Sequence, residues 1–203
     1  VTLVLRFMRL SDIDDVVTID SLSFTPAWSR AAYQFEVSES NYSYMLVLED
    51  APPAPKPSLM RRLFPILGAP AGGVVLGYGG MWRIAGEAHI STIAVHPTQR
   101  GKSYGELLLL TMCARAVRLR ASFVVLEVRV SNTNAQNLYR KRGFEVTGVK
   151  ERYYQSDGED AYAMRLVLDD AAIARIDADF AALCERLGVI DQFTDEFPPH
   201  LKR

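Results

Sequence analysis

Ala94-Val95-His96-Pro97-Thr98-Gln99-Arg100-Gly101-Lys102-Ser103-Tyr104-Gly105 is the stretch on which the reading of this chain turns. A β-branched run ends at Val95, a short polar turn follows, and a long apolar run of helical pattern, Gly105 to Leu119, leads away from it. The small residues of the turn let backbone N–H groups face outward. The first N–H groups of a helix have no intrahelical partner and lie at the positive end of its dipole, so such a junction is an anion site. The ligand expected there is a phosphate.

Outward from this junction the pattern is mixed α/β. On the N-terminal side, Thr2 to Met8 reads as a strand. Ser11 is placed as N-cap of a helix carrying Ile13, Val16 and Val17, and Ser29 as N-cap of one carrying Tyr33, Phe35 and Val37. Tyr42 to Leu48 reads as a strand again. Val74 to Ile84 and Ala88 to Val95 flank a turn at Ala85-Gly86-Glu87 and pair as a hairpin. Beyond the helix, Phe123 to Val130 is a buried-strand pattern. Asn132 caps a helix bearing Ala135, Leu138 and Tyr139 that ends at Gly143, and strands follow at Phe144 to Lys150 and Ala161 to Leu168.

Two segments interrupt this order. Residues 51–73 carry Pro52, Pro53, Pro55, Pro57, Pro65 and Pro70 and read as an inserted loop, either a loosely packed excursion or a substrate flap offering Leu63, Phe64, Ile66 and Leu67. From Asp170 to Leu187, Ile173, Ile176, Phe180, Leu183 and Leu187 form an apolar stripe on a helix, to be packed on the parent domain or offered as a homodimer contact. Asp191 to Arg203 reads as an irregular end. The domain reading is therefore one domain over residues 1–168 and a helical extension over 169–203.

Composition narrows the function classes. The 203 residues carry 23 Lys and Arg against 24 Asp and Glu, a formal charge of −1, which argues against nucleic acid or acidic lipid as a partner. Two cysteines, Cys113 and Cys184, sit in helical patterns and suggest neither a disulfide scaffold nor a metal site. Leu63 to Trp82 is uncharged over the length of a membrane span, but its glycines (68, 72, 73, 77, 79, 80) and prolines (65, 70) argue against one. With no secretory pattern at Val1 to Met8, the expected location is the cytoplasm. Gly101-Lys102-Ser103 matches the end of a nucleotide-binding P-loop, yet the motif's earlier glycine is replaced by His96.

Arg100-Gly-Lys-Ser103-Tyr-Gly105 resembles the pyrophosphate-binding loop of the GNAT acetyltransferase superfamily, with Ser103 where the family carries its central glycine. Leu126-Glu127-Val128-Arg129-Val130-Ser131-Asn132, followed by Ala135, Leu138-Tyr139 and Gly143-Phe144, resembles the family's later strand–helix unit. Tyr153-Tyr154 and Asp157 to Met164 resemble the branch that acetylates protein N-termini, the ribosomal-protein alanine and archaeal and eukaryotic N-terminal acetyltransferases. The resemblance is strong over 86–168, and over 1–50 it rests on element order and on Phe24-Thr25-Pro26-Ala27-Trp28-Ser29.

The resemblance implies a mixed, mostly antiparallel central sheet flanked by helices, and acetyl-CoA as co-substrate with no metal. Ile93, Ala94 and Val95 would line the pantetheine arm, Arg100, Gly101, Lys102, Ser103, Tyr104 and Gly105 would cradle the pyrophosphate, and Asn132 and Tyr139 would complete the pocket near the sulfur. Glu127 is the first choice for general base and His89 the second, with Tyr139 as the acid that protonates the departing thiolate. Trp28, Tyr153, Tyr154 and Tyr162 would shape the acceptor groove. The acceptor implied is the N-terminal α-amine of a protein or peptide. A small-molecule amine acetyltransferase of the same fold, or a non-catalytic acyl-CoA-binding module, are the other readings. The basic runs Arg115, Arg118, Arg120 and Arg140, Lys141, Arg142 are expected to be solvated, with one of them free to meet the cofactor's 3′-phosphate.

Overall fold

The computed structural model describes residues 2–52 and 73–199. The flap expected at Leu63, Phe64, Ile66 and Leu67 lies outside the described residues. Among the described residues eight strands form one mixed sheet: β1 (Thr2–Phe7), β2 (Ser43–Ala51), β3 (Val74–Ile84), β4 (Glu87–Val95), β5 (Phe123–Arg129), β6 (Glu145–Tyr154), β7 (Glu159–Val167) and β8 (Val189–Gln192). Their order across the sheet is β6-β7-β5-β4-β3-β2-β1-β8. Neighbours are antiparallel except β4 with β5 and β1 with β8. Helices α1 (Ile13–Ser21) and α2 (Arg30–Ser38) cover one face. The other face carries α3 (Tyr104–Arg118), α4 (Thr133–Lys141) and α5 (Asp170–Leu187).

Local chemistry explains most element ends. Ala85 and Gly86 both take positive φ, the two-residue turn whose twist matches the strands β3 and β4 that it joins. Asn132 and Asp169 accept the Ala135 and Ala172 N–H groups at the starts of α4 and α5, and Gly143 and Gly188 follow those helices with positive φ. Ser29 caps α2 as expected. Ser11 does not cap α1. It lies inside a short 3-10 turn, Leu10–Asp12, that precedes the helix, and the Asp12 carboxylate takes the Arg9 N–H at 2.7 Å. Phe35, expected on the buried face of α2, is exposed, because Tyr33 and Glu36 occupy that face.

Helix α3 is enclosed on all sides, with every residue from Leu107 to Ala116 buried, because the sheet covers one side of it and α5 the other. The apolar stripe of α5 thus finds its partner within the chain: Ala172, Ile176 and Leu183 are buried there. A homodimer through that stripe accordingly loses its basis. The C-terminal end, expected to be irregular from Asp191, is so among the described residues only after Gln192. Gly188 turns the chain into β8, which pairs parallel with β1 from Leu3/Val189 to Arg6/Gln192, and Phe193 is fully buried against Phe7.

Arg115 departs from the expectation of a solvated basic face. It is buried among the rings of Phe7, Tyr44 and Phe193 and donates to the Phe193 and Thr194 carbonyls at 3.2 and 2.6 Å. Those two carbonyls belong to the segment after β8, so the guanidinium fastens the chain's last strand to α3. Replacing it by Met keeps the packing volume and leaves the carbonyls unpaired. Arg115→Met is expected to destabilise the fold by about 1–3 kcal/mol, read as a lower urea midpoint, with proteolysis of the C-terminal segment appearing before global unfolding.

Candidate active site

Strands β4 and β5 pair only from Glu87/Phe123 to Ile90/Leu126 and then diverge. The cause lies in the β3–β4 register, where Gly80 faces Thr92 but Met81 faces Ile90, leaving Ser91 as an extra, bulged residue. A bulge bends the strand that carries it and ends regular pairing. The bend also exchanges faces: Ile90 belongs to the core under α3, whereas Ala94 packs in the core under α1 and α2. The result is a wedge between the ends of β4 and β5.

The residues of the cofactor stretch line this wedge unequally. The His96 N–H bonds to the Leu76 carbonyl at 2.9 Å, toward β3, so by strand alternation Ala94 faces β3 as well. Ile93 and Val95 instead present their main-chain groups to the wedge, where the Arg100 Nε reaches the Val95 carbonyl at 3.4 Å. At the wide end sits the turn before α3. Gly101 and Ser103 both have positive φ, +79° and +64°, and a Cβ at Gly101 would meet nothing within 4 Å. The loop is therefore open on its outer side, next to the helix N-terminus. Lys102 reaches back to Gln99, and Tyr104 begins α3. This arrangement fits a diphosphate held by main-chain amides, with an extended amide-bearing arm running down the open edge of β4.

At the apex of the wedge, on the α1/α2 face, charged groups gather. Glu127, the first β5 residue past the last rung, lies 2.6 Å from His89 Nε2 and accepts the Lys150 Nζ at 2.6 Å. Burial pushes its carboxyl up, but the His89 and Lys150 donors overcome this and hold it down at about 2. Trp82 stands edge-on to the His89 ring and donates Nε1–H to Glu36, and Trp28 stacks on Trp82. Tyr153 lies over Lys150, and Arg129 lies over the ring of Tyr154. Behind them, Asp20 takes the Tyr33 and Tyr78 hydroxyls and the Trp28 N–H, which fixes the α1–α2 loop. That loop meets the β6–β7 turn, where Arg129 bridges the Thr25 carbonyl to Asp157 and Glu159.

The other expected residues are distributed as follows. Tyr139 packs on the α3/α4 side against Phe144, and burial pushes its phenol up to about 12. The side-chain oxygen of Asn132 is engaged as the cap of α4. Tyr162 packs with the α3-side core, on the opposite face of the sheet from Trp28 and Tyr153, so the four expected groove residues do not form one surface. Arg118 pairs with Asp177 and Asp195, while Lys141 and Arg142 both engage Glu106, leaving these bases ion-paired instead of freely solvated. The Cys113 thiol is buried and pushed up to about 12, unsuited to act as a thiolate. The sequence reading missed Lys150, Trp82 and Asp20. A charge pair 23 residues apart and an aromatic platform built from two strands and a loop leave no local pattern.

The comparisons with known proteins agree with this geometry. The Acetyltransferase (GNAT) family profile matches residues 13–144. A Bacillus subtilis protein assigned as a ribosomal-protein bS18-alanine N-acetyltransferase is 34% identical over 165 residues, 81% of this chain and 95% of the relative. The Mycobacterium tuberculosis N-alpha-acetyltransferase RimI is 40% identical over 103 residues, 49% of this chain and 63% of the relative. The crystal structure of Ard1 from Thermoplasma volcanium shares the fold with a TM-score of 0.67 at 24% identity, covering 84% of this chain and 100% of that one. Among the described residues no helix is long and apolar enough to cross a membrane. A wedge opened by a bulge in β4, an amide-rich loop at its wide end and this breadth of likeness give one conclusion: the chain belongs to the GNAT family and is an acetyl-CoA-dependent N-acetyltransferase.

Proposed function

We propose that this enzyme acetylates the N-terminal α-amine of a protein or peptide by direct attack on the thioester. The observation that carries the reading is the wedge. Its open β4 edge connects the amide-rich start of α3 with the His89–Glu127 pair, so donor and acceptor can approach the apex from opposite faces of the sheet. The Bacillus relative, assigned to ribosomal-protein alanine, and the Mycobacterium N-alpha-acetyltransferase support the same substrate class.

Acetyl-CoA supplies an activated acyl carbon and a thiolate leaving group. In this reading residues 100–105 hold the diphosphate, and Val95 and Ile93 offer main-chain groups along the arm. The Ile93 N–H, nearer the apex, donates to the acyl oxygen as charge builds on it. An α-amine has a pKa of about 8, so part of it is already neutral and the base has little to do. Glu127 is suited to orient rather than to titrate, because a carboxyl held near 2 binds protons weakly at neutral pH. His89 Nε2 lies 2.6 Å from that carboxylate, which places the imidazole to receive the amine proton, directly or through water. Tyr139, neutral in this pH range, holds the proton for the thiolate. Trp28, Tyr153 and Tyr154 shape the acceptor's approach. The catalytic unit is taken as residues 1–168, with 169–203 as its extension.

Three outcomes test this. Tyr139→Phe is expected to lower kcat by roughly 10²-fold while leaving the CoA dissociation constant within a factor of about two; unchanged turnover removes Tyr139 as the acid. A Cβ at Gly105 meets only Val95, at 3.9 Å, so Gly105→Asp adds charge without a clash. It should weaken acetyl-CoA by about tenfold or more in a calorimetric titration, and equal affinity would sink the loop assignment. Because Glu127 stays ionised down to about 2, its titration contributes no limb to the rate profile between about pH 5 and 9. His89→Gln should lower kcat by roughly 10²-fold. If His89→Gln leaves turnover unchanged and Glu127→Gln abolishes it, the two roles are reversed. Glu127's contribution to stability is present above its unfolded pKa of about 4.3 and is lost as pH falls toward the folded value.

A further inference from the structure

Ser103 stands where a glycine is expected, in the left-handed region with φ +64° and ψ 11°. A side chain there projects from the loop assigned to the diphosphate. Its hydroxyl is met from the far end of the chain, because the Arg186 guanidinium, on the last turn of α5, donates to Ser103 Oγ at 3.2 Å. The backbone at Arg186, whose side chain is exposed, is fixed from both sides. Leu183 anchors α5 on α3, and Gly188 closes the helix by directing its N–H to the Cys184 and Glu185 carbonyls before β8 joins the sheet. Two neighbouring bases on this side are ion-paired, Arg118 with Asp177 and Asp195, and Arg142 with Glu106 and Asp179. Among the described residues Arg186 enters no ion pair, and it donates to the uncharged Ser103 hydroxyl.

We infer that Arg186 is a cofactor-binding residue supplied by the C-terminal extension, contacting the diphosphate of acetyl-CoA beside Ser103. This rests on the assignment of residues 100–105 as the diphosphate loop. A guanidinium offers several donors in one plane and suits a two-oxygen contact with phosphate. The Ser103 hydroxyl keeps it aimed at the loop. Serine at this position then adds a side-chain anchor to an amide cradle, instead of merely obstructing it.

Calorimetric titration of wild type, Arg186→Gln and Arg186→Lys with CoA and with dephospho-CoA, which lacks the 3′-phosphate, tests the inference. Arg186→Gln should weaken both ligands by the same factor, about fivefold, with a steeper loss in wild type than in the variant as salt is raised. Arg186→Lys should recover part of the affinity, and the melting temperature without ligand should be the same for all three proteins. Equal affinities in wild type and Arg186→Gln overturn the inference. A loss seen with CoA but not with dephospho-CoA also overturns it, by moving the contact to the 3′-phosphate. So does an Arg186→Lys variant as weak as Arg186→Gln with a lowered melting temperature, which marks a structural role. Failure of wild type to bind either ligand would instead refute the loop assignment itself.

Discussion

A parallel strand pair that parts after four rungs is the constraint on which the rest of this structure depends. Buried main-chain N–H and C=O groups require partners, so an open edge inside a sheet is tolerated only where solvent or a ligand can reach it. Here the bulge at Ser91 turns β4 away from β5, and β3 continues to satisfy only one side of β4 beyond it. The elements around the wedge are arranged to keep it open. Gly77 lies opposite Val95, and a Cβ there would come within 2.8 Å of the Ala94 carbonyl, so β3 can follow the bent end of β4 closely only without a side chain at that position.

The charges at the apex follow from the same separation. Had β5 stayed paired with β4, Glu127 would have been one more rung of a closed sheet. Instead, it sits at the first position past the last rung, and the His89 and Lys150 donors keep it ionised despite its burial. The network is asymmetric: the carboxylate is met by side chains from β4 and β6 and is held firmly charged.

The C-terminal extension is tied to the core by chemistry that cannot be inferred from its amphipathic stripe alone. Its helix completes the enclosure of α3, its short strand extends the sheet beyond β1, and Arg115 holds the following turn through two carbonyls in an aromatic box. Because α3 begins at the anion loop, an element that rigidifies α3 also fixes the direction of the amides at its start. The packing of residues 170–194 therefore bears on the geometry of the wedge, in addition to the stability of the fold.

By itself the sequence determined the alternation of strands and helices, the hairpin around Ala85-Gly86, the caps at Ser29 and Asn132, and the loop from Arg100 to Gly105 at the head of a buried helix. Each of these rests on neighbours in the chain, where periodicity and capping chemistry act over a few residues. Tertiary structure alone decided that Glu127 lies between His89 and Lys150, that Tyr162 faces away from Trp28, that Arg115 is buried, that Val189–Gln192 joins the sheet beside β1, and that Arg186 reaches Ser103. Those contacts join residues tens of positions apart across the sheet or between helices. What selects them is the register of β4 against β3 and β5, displaced by the bulge at Ser91, together with the packing of α5 on α3, and neither leaves a signature in local sequence.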